Sequence, residues 1–324
     1  MDDLLDLMIC RVPGLRREDR IELEKKIDKE GDFSVLSTKD LEKLLGKVLA
    51  GPSWKMEQVR AMAEKDAAIA QKLGIRMVSW RENAYPPLLR EIYDPPVVLF
   101  YRGSLPDPGK PLVAVVGTRK PSSQAAKRAF VLGRELGEAG IPVVSGLALG
   151  IDAMAHRGNI EGRAPTVAVL GSGPDMVYPA SNRGLARRIL ETGGVILSEY
   201  PPGTEPRKWN FPERNRIISA FARGTVVVEA PVRSGALITA QFAVDQDRDL
   251  WVDKASLSSE RGGGAVRFVE DGAMVITSAA DILAELKLAV ASKDKSCRDK
   301  KKNTRQGEGA DLASSMAEFL DIKL

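Results

Sequence analysis

An open, mainly parallel β-sheet with helices on both faces, preceded by a small all-helical part, is the fold class the sequence predicts. Three observations carry this α/β, doubly wound, Rossmann-like reading. From about residue 110 to 290, short apolar and β-branched runs alternate with helical stretches. The runs are continuously apolar rather than alternating, which marks strands buried on both faces, as in a parallel sheet between helix layers. Each of the first five runs ends in a loop that carries glycine or serine, where a strand turns into a helix.

Residues 1–80 form the predicted helical part. "DDLLDLMICRVPGL" has apolar residues at helical spacing and then a Pro-Gly break. "REDRIELEKKIDKEG" is charged, with apolar teeth at Ile21, Leu23 and Ile27. "STKDLEKLLGKVLAG" opens on a capping hydroxyl with acid early and stops at Gly51, and "SWKMEQVRAMAEKDAAIAQKLG" closes at Gly74. The "VPGL" turn suggests either a helix-turn-helix piece that holds a DNA backbone or a packing module. A connector over 81–110 follows, with Pro86, Pro87, Pro95 and Pro96 on either side of a short helix and "VVLFY" as a strand.

The main domain, 81–290, includes that connector. Its predicted strands are "LVAVV" (112–116), "PVVS" (142–145), "TVAVL" (166–170), "VIL" (195–197), "TVVVEA" (225–230), "LWV" (250–252) and "MVI" (274–276). Residues 291–309 read as a basic, flexible linker with weak, salt-sensitive attraction for nucleic acid as one reading and plain solubility as the other. Residues 310–324 read as one short helix, too small for a domain.

Composition excludes several chemistries. The 324 residues carry a net charge of only +4, so a nucleic-acid role must rest on where charge sits. Cys10 and Cys297 are too few for a zinc site and lie near opposite ends. His156 is the single histidine, so no two-histidine metal site exists and a Ser-His-Asp triad would have to use it. No signal-peptide start and no 18-residue apolar run is present, which points to a cytoplasmic protein. GxxxxGK[ST] and GxGxxG are both absent, which counts against an ATPase and a dehydrogenase.

In a doubly wound sheet, ligands bind outside the carboxyl ends of the strands. The loops there read "GTRKPSS", "SGLALGIDAMAH", "GSGPDMVYPASN", "SEYPPGTEPRKWNFPERNRII" and "EAPVRSGALITA". Arg119, directly after a buried strand and the Gly117-Thr118 turn, suits a phosphate through paired hydrogen bonds. Gly146 and Gly171 are equally explained by tight turns or by ligand contact. "RKWNFPERNR" interleaves Arg207, Lys208, Arg214 and Arg216 with Trp209 and Phe211, a pattern that neutralises phosphates and stacks on bases. Arg214 and Arg216 are also open to a scaffolding role. Ser234 and Gly235 sit at a helix N-terminus, where free amides suit an anion.

These segments, in order from "AYPPLLREIYDPPVVLFYRG" through "VAVVGTRKPS", "VVSGLALGIDAMAH", "VAVLGSGPDMVYPASN" and "LSEYPPGTEPRKWNFPERNRIIS" to "VVVEAPVRSGALITA", resemble the DNA-processing family DprA, also called Smf. The helical N-terminus is similar to that family's SAM-like or helix-hairpin-helix domain. The resemblance implies a cytoplasmic homodimer that binds single-stranded DNA, loads the recombinase RecA and serves natural transformation, without being an enzyme and without a metal or cofactor. By the family pattern Ser145, Gly146, Ser234 and Gly235 line a pocket with Arg119, Lys208 and Phe211, and with the loop reading this gives an expected DNA site of Gly117, Thr118, Arg119, Ser145, Gly146, Lys208, Phe211, Arg214, Asn215, Arg216, Ser234 and Gly235. Arg119 and Lys208 would hold phosphates and Phe211 a base. Two features depart from the family pattern. "WVDKASLSSERGGGAVRFVEDGA" lacks the Pro-Gly turn usual after its strand, and the 15 residues after the linker are too few for a complete winged-helix domain.

Two rival readings remain at this level. A nucleotide-hydrolysing enzyme similar to the LOG phosphoribohydrolases would need an acid near the fifth strand, where Glu229 is the candidate, although a structural strand-end role suits it better. A pure interaction scaffold is the other, since fold does not fix function.

Overall fold

The computed structural model describes residues 3–50, 54–257, 259 and 261–286. The expected linker over 291–309 and short helix over 310–324 lie outside the described residues.

Five helices open the chain: α1 (Asp3–Arg11), α2 (Arg17–Lys26), α3 (Glu30–Ser34), α4 (Thr38–Leu45) and α5 (Met56–Lys72). Their boundaries follow local chemistry. Ser37 caps α4, its hydroxyl accepting from the Asp40 amide while the Asp40 carboxylate accepts from the Ser37 amide. This reciprocal pair satisfies two donors the helix start leaves open. The apolar faces meet in a core of Leu5, Met8, Leu23, Phe33, Leu41 and Val59, which continues onto Val97, Val98 and Phe100.

The sheet begins earlier than the sequence suggests. β1 (Arg76–Ser79) precedes α6 (Pro87–Arg90) and β2 (Val98–Gly103). The doubly wound part then runs β3 (Val113–Val116), α7 (Ser123–Glu138), β4 (Val143–Ser145), α8 (Ile151–Glu161), β5 (Val167–Val169), α9 (Arg183–Glu191), β6 (Val195–Ser198), α10 (Asn210–Phe221), β7 (Gly224–Val227), α11 (Ala236–Asp245) and β8 (Asp249–Asp253). It closes with α12 (Lys254–Leu257), α13 (Val266–Glu270) and β9 (Met274–Ile276).

The strands form one sheet of order β1-β2-β6-β5-β4-β3-β7-β8-β9. β1 and β2 pair antiparallel at one edge, β2 pairs antiparallel with β6, and the remaining pairs are parallel. All four residues of β3, β6 and β7 are buried, as continuous apolar runs require when helices cover both faces. The chain winds outward from β3 through β4, β5 and β6, and α10 then carries it back to β7 on the other side of β3. The strand order therefore reverses between β3 and β7, which opens a crevice at their carboxyl ends.

Residues 1–277 make one compact unit. A second begins at Ser278, whose amide donates to the Asp281 carboxylate in the first turn of a helix described over 279–286. Among the described residues, no helix is long and apolar enough to cross a membrane.

Candidate functional site

At the β3–β7 reversal lies a cleft of about 970 Å³. Its first wall is the loop after β3. The Thr118 amide donates to the Glu229 carbonyl at the end of β7, 2.7 Å away, which fixes the turn. The helix α7 that follows is capped by Ser122, whose hydroxyl oxygen accepts from the Ala125 amide. Glu229 completes the arrangement. Its buried carboxylate accepts from the Ser122 amide and hydroxyl, both at 2.9 Å, and from the Ser259 hydroxyl at 2.6 Å. Three donors thus use the carboxylate structurally. Arg119 and Lys120 stand exposed on the loop so anchored.

The second wall is the start of α10. The Asn210 amide group donates to the Gly171 carbonyl and fastens the helix to the loop after β5. Phe211 faces the cleft, with the Arg119 guanidinium 5.5 Å from its ring centre and the Tyr178 ring also 5.5 Å away. Lys208 lines the same wall. Trp209 is exposed, with Arg207 over its ring, but does not line the cleft.

Arg214 forms the floor. It is buried, and its Nη1 donates to the Gly146 and Val169 carbonyls. Burial lowers its pKa to about 10, and the charge of Arg119 adds to that, while Asp152 opposes it. Arg214 therefore stays charged near neutrality. Burial raises the pKa of Asp152; the charge of Arg214 and the amides of Ala148 and Gly146 pull the other way. Ser234 and Gly235, at the start of α11, close the far side, where Asn215 donates to the Gly235 carbonyl.

Of the twelve residues expected from the sequence, Gly117, Thr118, Arg119, Lys208, Phe211, Arg214, Asn215, Ser234 and Gly235 line one cleft. Three lie elsewhere. Ser145 is buried and donates to the Val115 carbonyl inside the sheet. Gly146 lies behind Arg214, whose guanidinium fills the space a side chain would occupy. Arg216 is 2 % exposed and pairs with Glu199 at 2.7 Å and Asp94 at 2.9 Å. Sequence reasoning missed Lys120, Tyr178, Arg233 and Arg261, which also line the cleft. Lys120 and Arg233 adjoin motifs that carried a signal, and Tyr178 sits in the third loop. Arg261 had none.

His156 is buried away from the cleft lining. Thr166 donates its hydroxyl to the Val143 carbonyl, so it accepts from His156 Nδ1, 2.7 Å away, and fixes the neutral Nδ1–H form. Burial and then the charge of Arg214 lower its pKa to about 3. It has no access to act as a base on a ligand.

The cleft is strongly cationic. Arg119, Lys120, Lys208, Arg233 and Arg261 are exposed in its lining, whereas among the described residues the one acid there, Asp152, is buried. Such one-signed lining over a low-dielectric floor concentrates the field and draws anions.

The chain as a whole is similar to known proteins. The sequence profile of the family described as DNA recombination-mediator protein A matches residues 76–287. The chain is 38% identical over 234 residues to the DNA processing protein DprA of Bacillus subtilis, covering 72% of this chain and 78% of that one. Among solved structures, DNA processing protein A of Streptococcus pneumoniae is similar, with a TM-score of 0.73 and 32% identity over 88% of this chain and 98% of that one. A structure concerned with the single-stranded DNA binding mode of DNA processing protein A from Helicobacter pylori has a TM-score of 0.57 and 27% identity, over 66% of this chain and 96% of that one.

Proposed function

The chain belongs to the DNA recombination-mediator protein A family, known as DprA or Smf, and from that membership we propose that its cleft binds single-stranded DNA, protects it and delivers it to RecA, as in natural transformation. A DNA-processing, recombination-mediator role is the family's. The observation that carries the finer reading is the exposed cation set around Phe211 at the strand-order reversal. Arg119 and Lys208 take phosphates, and Phe211 offers a ring to a base. Recognition by backbone charge and stacking is tolerant of sequence and steeply dependent on salt.

The protein acts by binding rather than catalysis. Glu229, the acid a nucleotide hydrolase would need, is held by three hydrogen bonds, and among the described residues the one carboxylate in the cleft lining is buried. A homodimer would place two such clefts on one strand and raise the effective concentration of the second contact.

The test is fluorescence anisotropy with labelled oligo-dT, single-stranded and duplex, across a salt series. Wild type should prefer the single strand. R119A and K208A should each weaken binding and shallow the salt dependence, by about 0.7 in log–log slope per lost phosphate contact. F211A should cost about 1–3 kcal/mol with little change in slope. Binding by wild type that is indifferent to salt would sink the reading. Release of free base from a nucleoside monophosphate would favour a hydrolase instead. With DNA binding established, unchanged RecA filament nucleation on the bound strand would confine the role to protection.

A further inference from the structure

The run after β8 is built into the cleft through Arg261. Two glycines bring it there. A Cβ on Gly262 would coincide with the Ser256 carbonyl, and one on Gly264 would lie 2.6 Å from the Pro231 carbonyl and 2.7 Å from that of Ala230. A side chain at Gly264 would push the run off the loop that follows β7, and one at Gly262 would undo its fold back onto α12. The Gly264 amide donates to the Ala230 carbonyl at 3.0 Å, which seals the contact.

Hydrogen bonds then fix the arginine ahead of those glycines. Ser259 donates its hydroxyl to Glu229 and accepts from the Arg261 amide at 3.1 Å. Because Glu229 also holds Ser122, the run is tied to the cap of α7, beside the turn that carries Arg119. Arg261 Nη1 donates to the Lys120 carbonyl at 3.0 Å. Its guanidinium has five donors, and that bond uses one. Among the described residues no acid pairs with it, and it is exposed in the cleft lining. An arginine held by a carbonyl on one side and open on the other is arranged to take a phosphate.

We propose that Arg261 is a phosphate-binding residue of this cleft, extending the path of the single strand from Lys208 and Arg119 past Lys120. The proposal rests on the single-strand reading of the cleft. It assigns to the run after β8 a contact with the sugar–phosphate backbone.

The experiment compares wild type with R261A, R261Q and R261K in the oligo-dT salt series, with circular dichroism melting of each variant alongside. R261A should bind several-fold more weakly at low salt, with a slope about 0.7 shallower, and melt as wild type does. R261Q keeps a donor for the Lys120 carbonyl without the charge and should bind as weakly as R261A. R261K keeps the charge and should restore the wild-type slope. Wild-type slope in R261A would overturn the proposal, as would full binding by R261Q, which would reduce Arg261 to a support for the Lys120 loop. Both results leave single-strand binding by wild type intact, so they are distinct from failure of the functional reading, in which wild type itself does not bind.

Discussion

His156 shows how one residue can be decisive for stability and irrelevant to chemistry. It is neutral in the folded protein, with a pKa near 3 against an ordinary value of 6.5. Above pH 6.5 neither the folded nor the unfolded chain protonates it, and its contribution is fully present. As pH falls from 6.5 towards 3, the unfolded state takes up a proton that the folded state refuses, so stability declines. The loss between pH 6.5 and 5 should be roughly 2 kcal/mol. H156L removes the titration and the buried, unpartnered Nε2 with it, while Thr166 keeps its bond to the Val143 carbonyl. Urea unfolding at the two pH values should therefore show a smaller drop for the variant. Equal drops would mean that His156 is not held neutral. The arginines of "RNR" teach the complementary lesson. Residues three and four apart share a helix face, so Phe211, Arg214 and Asn215 point to the cleft while Arg216 turns to Asp94 and Glu199. That division was implicit in helical spacing. What the sequence withheld was the pair of acids waiting for Arg216, since Asp94 and Glu199 are far from it along the chain.

At the scale of elements, the strands were legible because burial on both faces leaves an unbroken apolar run. β1 was not, because "RMVS" is short and mixed, and the antiparallel edge it forms with β2 is fixed by pairing rather than by composition. Helix pairing was equally hidden. α7 and α8 pack backbone to backbone. A Cβ on Gly158 would strike the Phe130 carbonyl, and one on Gly137 would lie 2.6 Å from the Asn159 carbonyl. The glycines of "LGRELGEAG" and "HRGNIEG" are visible in the sequence, but nothing there says that they face each other. Because the atom met is backbone, G158A cannot be absorbed by a side-chain rotation. It should force the helices apart and destabilise the protein by about 1–3 kcal/mol, as overpacking does. α7 carries the Arg119 loop at its start, so single-strand affinity should fall as well. A thermal melt and an anisotropy titration of G158A check both, and a variant as stable as wild type would show that the helix contact is looser than described.

For the whole molecule, the question is whether the helical part and the sheet are separate. Composition changes near residue 80, and that is where the sequence places a boundary. Across it, however, the core of α1–α5 runs onto Val97, Val98 and Phe100. Arg81 pairs with Glu24, and Arg17 reaches Glu213 on α10 at 2.6 Å and Glu199 at 3.5 Å. The apolar surface is the stronger tie, since removing either partner exposes buried Val98 and Phe100 to water, whereas partly exposed ion pairs contribute little. The acid network adds direction: Glu199 serves both Arg17 and buried Arg216, so the helical part touches the same helix, α10, whose first turn presents Phe211 to the cleft just after Lys208. A unit so joined should unfold cooperatively. Tryptophan fluorescence samples both parts, through Trp54 and Trp80 near the boundary and Trp209 and Trp251 beyond it. Its transition in urea should coincide with that of far-ultraviolet circular dichroism, and a fragment starting at residue 75, which keeps β1, should be less stable than the full chain. Two separated transitions, with the fragment as stable as the intact sheet, would make the helical part an independent domain and cut the link between it and the cleft.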